Sequence, residues 1–219
     1  MQHKLDEINR GMMARLDALP AHPFFDWIRR EYDADDYELL KRDLLREELR
    51  DTKFLAFEYW AGRKFKTARE LDWHKTPTMR ILDIGSGPCH TSLVAEFMGH
   101  ACVGLDESCH PVFDRLAEFF RMPRIIHTIA RGTPLPIDVF DVIVSHVTQF
   151  DVDPRLGVRD IWDEGDWAFF LDDIMTKLSR GGYFYLHTVG DWRRPVAVQR
   201  YLKERADAQL YNRLLFYKE

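Results

Sequence analysis

Residues 81–90 read Ile81-Leu82-Asp83-Ile84-Gly85-Ser86-Gly87-Pro88-Cys89-His90. An apolar run passes directly into two glycines separated by one residue, and a helical pattern carrying Leu93, Val94, Phe97 and Met98 follows. Glycine at such a turn adopts positive φ without penalty and lets a ligand lie against the main chain. The start of the following helix offers N–H groups that have no partner within the helix. Alone, this is an ordinary strand-to-helix turn. A second feature gives it meaning: Val103-Gly104-Leu105 ends in Asp106, about 20 residues beyond the loop. A carboxylate at the tip of the second strand is placed to accept both hydroxyls of a ribose. Loop and acid together indicate a nucleoside-containing cofactor.

Outward from this loop, short apolar runs alternate with helical patterns. Strands are expected at Arg80–Ile84, Ala101–Leu105, Arg124–Ile129, Phe140–Val147 and Tyr183–Val189. Between them lie helices marked by Phe113, Leu116, Ala117 and Phe120, and by Trp167, Phe170, Leu171, Ile174 and Leu178. Continuous apolar strands alternating with helices predict an α/β fold, a doubly wound and mostly parallel sheet covered on both faces. Before residue 78 the pattern is helical. Leu5, Ile8, Met12 and Leu16 recur at helical spacing, and the stretch stops at Leu19-Pro20, with Pro23 expected to hold the next residues out of a helix. A second helix is expected from Asp36 to Arg50, and a third carries Phe54, Phe57, Tyr59 and Trp60 and ends at Gly62. The expected organisation is an N-terminal helical cap over residues 1–77, joined without a linker to a cofactor-binding α/β domain over residues 78–219.

Composition narrows the function classes. The 219 residues are 46% hydrophobic, enough for a packed core, and 31 Lys+Arg against 36 Asp+Glu leave a net charge of −5. That balance argues against a broad nucleic-acid-binding face. No run of about 18 apolar residues is present, so no membrane span is expected. The N-terminal MQHKLDEINR lacks the apolar core of a secretory signal. Cys89, Cys102 and Cys109 form no CxxC pair, which disfavours both a disulfide framework and a zinc site and fits a reducing cytoplasm. No metal is expected.

The loop also discriminates among cofactors. A dinucleotide fingerprint needs a third glycine so that pyrophosphate can rest on the helix. His90 stands there, and Asp83 places a negative charge where pyrophosphate would be repelled. A cofactor with a ribose, no phosphate and a cationic end fits better, as S-adenosylmethionine does.

With these residues in view, the segments MRILDIGSGPC, VGLDES, FDVIVSHV and LSRGGYFYLHTV together resemble the ordered motif set of class I S-adenosylmethionine-dependent methyltransferases. The likeness runs from about Met79 to Val189. It implies a Rossmann-like methyltransferase fold, methyl transfer to a small-molecule acceptor and S-adenosylhomocysteine as product. It implies that Gly85, Gly87 and the neighbouring Ser86 hold the methionine moiety, that Asp83 faces its amino group, usually through water, and that Asp106 binds the ribose. Glu107, Ala130, Arg131 and Ser145 complete the expected cofactor contacts. Two departures stand out. Members often carry an Asp-Ala pair after the third strand, where this chain reads Ile129-Ala130-Arg131-Gly132. Residues 190–219 also leave room for one helix, Val196 to about Leu210, and one strand, Leu214–Lys218, where the family has a closing two-stranded hairpin. The C-terminal end is therefore expected to be short.

Displacement at a sulfonium needs alignment and exclusion of water, and a base only where the acceptor must lose a proton. The end of the fourth strand reads Ser145-His146-Val147-Thr148-Gln149-Phe150-Asp151. His146 is the candidate base, since imidazole titrates near neutral pH; the alternative is a pocket-lining residue. Asp151 either orients it against substrate or caps a turn. His187 reads as a core or rim residue. In the cap, Tyr59 and Trp60 either stack near cofactor and acceptor, with Arg63 meeting the methionine carboxylate, or anchor the cap while Arg63 is solvated. Trp162 and Trp167 either pack the core or border the acceptor. Two other activities use the same cofactor features: attack at another carbon, giving aminocarboxypropyl transfer or cyclisation, and non-catalytic cofactor binding.

Overall fold

The computed structural model describes residues 22–49, 51–107, 110–148, 150, 152–153, 158–159, 161–188, 195–210 and 213–219. The helix expected around Leu5–Leu16, as well as Cys109, Asp151 and Val189, lies outside the described residues. The chain forms two compact units, one drawn from Met1–Thr78, Ser86–Gly104 and Ser108–Arg124, the other from Met79–Gly85, Leu105–Glu107 and Ile125–Glu219.

The first unit is helical. Helices α1 (His22–Glu31), α2 (Ala34–Arg46) and α3 (Phe57–Glu70) are followed in this unit by α4 (His90–Phe97) and α5 (Pro111–Phe119). Pro23 does not keep its surroundings out of a helix; it sits in the first turn of α1, where its missing N–H would have no intrahelical acceptor. Asp33 caps α2, its carboxylate accepting from the N–H groups of Asp35 at 2.8 Å and Asp36 at 3.1 Å. Helix α2 ends at Arg46, short of the expected Arg50, and Phe54 lies in a separate 3-10 turn, Thr52–Leu55. Gly62 does not terminate α3, which runs on to Glu70 with Gly62 buried inside it. Burial of that face outweighs glycine's poor helix propensity. Phe24 is fully buried and meets Phe57, Phe65 and Phe97 with ring centroids 5.4–6.5 Å apart. Tyr37 joins Phe57 to Phe119 and Phe120, so α2, α3 and α5 share one aromatic core.

The seven-stranded sheet has the order β3-β2-β1-β4-β7-β9-β8, with β1 Arg80–Ile84, β2 Ala101–Asp106, β3 Arg124–Ile126, β4 Phe140–His146, β7 Leu178–His187, β8 Ala208–Leu210 and β9 Arg213–Tyr217. A separate two-stranded pair joins β5 (Val152–Asp153) to β6 (Val158–Arg159). Strands β1, β4 and β7 run parallel, in the register Asp83↔Val144 and Ile84↔Ser145, then Val144↔Tyr185 and His146↔His187. Chain order reverses at β1, which has β2 on one side and β4 on the other. That is the switch point beside which doubly wound sheets bind ligands, at the carboxyl ends of the strands. The fold is therefore the expected doubly wound, mostly parallel α/β sheet.

Two expectations at the sheet edges change. β3 stops at Ile126 instead of Ile129. The closing hairpin is complete, with β9 antiparallel to both β7 and β8. The final helix α7 (Val196–Arg205) ends early enough to free Ala208–Leu210 for the missing strand. Helix α6 (Glu164–Thr176) starts with a reciprocal cap: Asp166 N–H donates to Asp163 at 3.0 Å, and Asp163 N–H donates to Asp166 at 2.9 Å. Trp162 and Trp167 are buried with Phe150 and Phe170 in an aromatic cluster, with centroids 5.1–5.8 Å apart. These tryptophans pack the core.

Candidate functional site

The tips of β1, β2 and β4 converge on Gly85. Its φ is +69°, a backbone conformation that disfavours any side chain, and its N–H donates to Leu105 O at 2.8 Å, joining the tip of β1 to that of β2. A Cβ on Gly85 would stand 2.3 Å from Thr148 Oγ1 and 2.7 Å from Thr148 Cγ2. Thr148 is there because its hydroxyl donates to Ile84 O at 2.8 Å and accepts from Ser145 Oγ, also at 2.8 Å. Val147 makes this possible: it turns the chain at φ +63°, a region β-branched residues rarely enter, while its N–H donates to His187 O at 2.8 Å. Sequence reasoning gave Thr148 no role. The only signal was a small hydroxyl residue two positions past a strand that neighbours the glycine loop.

Around this cradle stand the expected acids. Asp83 is 1% exposed at the end of β1, so a cation arriving beside it would interact strongly in a low-dielectric setting. Asp106 is half-buried at the tip of β2; its carboxylate accepts from Glu107 N–H at 2.9 Å, and its carbonyl accepts from His127 N–H at 2.9 Å. Thr128 Oγ1 reaches Glu107 Oε2 at 3.4 Å. Ser145 is fully buried with its hydroxyl committed to Thr148. His146 is half-buried, with its ring 5.2 Å from Tyr185 and 6.2 Å from His187. His187 therefore sits at the rim of β7, next to the candidate base. Arg131 pairs with Asp166 at 3.4 Å and donates to Ile161 O, so the structure ties it to the start of α6; Ala130 is exposed next to it.

In the helical unit, Gly87 has φ +50° and Cys89 φ +60°, with Cys89 N–H donating to Ser86 O at 2.9 Å. Ser86 is 5% exposed, and its hydroxyl has no hydrogen-bond partner among the described residues. Gly104 makes room for it: a Cβ there would lie 2.6 Å from Ser86 Oγ. His90, at the third-glycine position, is buried edge-on against Phe57, centroids 5.3 Å apart. Burial, with a smaller contribution from Lys64, pushes its pKa down to about 3, so the imidazole is neutral. Tyr59, Trp60 and Arg63 form one cluster on α3. Their rings meet at 4.9 Å, the guanidinium lies 5.5 Å from the Trp60 ring, and Trp60 Nε1 donates to Lys53 O at 2.9 Å. Trp60 is thus anchored, and Arg63 is exposed.

A positive-φ glycine at one strand tip and a carboxylate at the next thus lie at the switch point of a doubly wound sheet. The sequence matches no family model and no curated protein. Solved methyltransferase structures are similar to it. They include S-adenosylmethionine-bound CalS10, an amino pentose methyltransferase of calicheamicin biosynthesis from Micromonospora echinaspora, at 19% identity and TM-score 0.44, over 63% of this chain and 54% of that one. A methyltransferase from Pyrococcus furiosus is 16% identical with TM-score 0.48, over 71% and 82% of the two chains. The Thermus thermophilus 16S rRNA methyltransferase RsmC, solved with AdoMet and guanosine, is 16% identical with TM-score 0.47, over 74% and 43%. This chain spans about half the length of CalS10. Among the described residues no helix is long and apolar enough to cross a membrane, and no group of three or more His, Cys, Asp or Glu is placed to hold a metal.

Proposed function

We propose that this protein binds S-adenosylmethionine at the tips of β1 and β2 and transfers its methyl group to a small-molecule acceptor. The observation that carries the reading is the Gly85 cradle, closed to any side chain and linked to Leu105 at the tip that bears Asp106. The residues suit the cofactor: Asp106 accepts the ribose hydroxyls, buried Asp83 favours the ammonium group, and the main chain at Gly85 and Gly87, with the Ser86 hydroxyl, receives the methionine part. Bound there, S-adenosylmethionine supplies a methyl group already activated on positively charged sulfur, and S-adenosylhomocysteine is the product.

What the chain adds is placement and proton handling. An acceptor aligned in line with the carbon–sulfur bond gains from lost translational freedom alone. His146, at the tip of β4, takes the proton from an acceptor that must lose one. The acidic chain, with a net charge of −5, favours a small acceptor over a polyanion.

Product analysis after turnover tests this. Methyl transfer releases S-adenosylhomocysteine. Release of methylthioadenosine would mean attack on the methionine side chain instead.

A further inference from the structure

We infer that Thr148 is a positioning residue that locks the glycine loop to the β4 tip, so that filling the cofactor site and ordering the His146 segment are one event. The inference rests on the proposed cofactor site and goes beyond it by assigning a coupling role to a residue outside the binding set.

The geometry leaves Thr148 little freedom. Its hydroxyl has one proton, given to Ile84 O at 2.8 Å, and it accepts the Ser145 proton at 2.8 Å. Ile84 is the last residue of β1 and Ser145 the last but one of β4, and they lie opposite one another in the β1–β4 register. The side chain fills the volume a Cβ on Gly85 would occupy, with Oγ1, Cγ2 and Cβ at 2.3, 2.7 and 3.0 Å from that point. A shift of Thr148 would therefore disturb the main chain of Gly85, and a ligand pressing on Gly85 would press on Thr148. Between Thr148 and His146 stands only Val147, held at φ +63° and tied to His187 O. Strain of that kind persists where the surroundings over-determine it. Here the surroundings are the Thr148 hydroxyl pair on one side and the Val147–His187 hydrogen bond on the other. Coupling between the two ends is reciprocal: whatever cofactor binding does to Val147, fixing Val147 does to cofactor affinity.

Three proteins separate hydroxyl from shape: the wild type, Thr148→Ser, which keeps the hydroxyl, and Thr148→Val, which keeps the volume. Thermal unfolding first establishes that each is folded. Calorimetry with S-adenosylhomocysteine should then give a Kd weaker by about tenfold or more for Thr148→Val, which removes both the bond to Ile84 O and the one from Ser145 Oγ, with Thr148→Ser within about threefold of the wild type. In the same samples, the exchange rate of the Val147 amide should slow on adding S-adenosylhomocysteine in the wild type and in Thr148→Ser, but not in Thr148→Val. A simply structural threonine would lower the melting temperature without abolishing that response. Wild-type binding with equal affinity in Thr148→Val, or an unchanged response at Val147, overturns the coupling and leaves the cofactor reading standing. Failure of the wild type to bind overturns both.

Discussion

Thr148 stands in the volume that a side chain on Gly85 would need, its Oγ1 2.3 Å from the position of that missing Cβ. Two costs therefore meet in Gly85→Ala. The left-handed backbone costs a residue with a Cβ about 1–2 kcal/mol, and the clash adds about 1–3 kcal/mol. Urea denaturation should show a loss within about 2–5 kcal/mol. Adding Thr148→Gly removes the clash and leaves the backbone cost, so the double variant should be more stable than the sum of the two single losses predicts. Strict additivity would mean the two residues do not meet.

Gly104 shows the same device in the helical unit, where a Cβ would come within 2.6 Å of Ser86 Oγ and 2.8 Å of Ser86 Cβ. Gly104→Ala should destabilise the protein by about 1–3 kcal/mol. Pairing it with Ser86→Gly should recover part of that loss, which melting curves will read.

The buried histidine makes stability pH-dependent. His90 is neutral when folded, with its pKa pushed down to about 3 from 6.5. Above 6.5 both folded and unfolded forms are neutral and it contributes no slope. Between 6.5 and about 3 the unfolded chain binds the proton and the folded chain does not, so stability falls as pH drops, by up to about 1.4 kcal/mol per pH unit. His90→Phe keeps a ring against Phe57 and should lack this component. Denaturation midpoints at pH 7 and 5 compare the two, and parallel curves would contradict the buried neutral state.

Val147 is a β-branched residue at φ +63° and 43% exposed, so packing does not compensate its strain. Val147→Asn should stabilise the fold by about 0.5–1 kcal/mol, since asparagine tolerates this region. A stability loss would show that the valine side chain makes contacts worth more than its strain.

The strand tips were legible because local chemistry announces them. Asp83, Gly85 and Asp106 lie where an apolar run, a glycine pair and a single acid place them in sequence. Elsewhere tertiary packing overrides the local signals. Gly62 reads as a helix end and is instead a buried contact inside α3; Pro23 reads as a breaker and instead sits in the first turn of α1. Strand β8, Ala208–Leu210, is three residues long, too short for its alternation to stand out, and it pairs with β9. β7 starts at Leu178, five residues before the expected Tyr183, and the β4–β7 register shifts between Phe140 and Val142. Gly182 allows that irregularity, since a Cβ there would lie 2.6 Å from Asp141 O. Thr148 was invisible for a related reason: its partner Ile84 is 64 residues away, and no local pattern marks the pairing.

The central claim is a nucleoside cofactor with a cationic amino-acid end, held by Asp106 and Asp83. Calorimetric titration of S-adenosylhomocysteine into the wild type, Asp106→Ala and Asp83→Asn tests it most directly, with NAD as the competing ligand. S-adenosylhomocysteine should bind the wild type, with a roughly 10- to 100-fold weaker Kd when the Asp106 carboxylate is removed, a loss in Asp83→Asn and no binding of NAD. Absence of wild-type binding, or an Asp106→Ala affinity equal to that of the wild type, would contradict it.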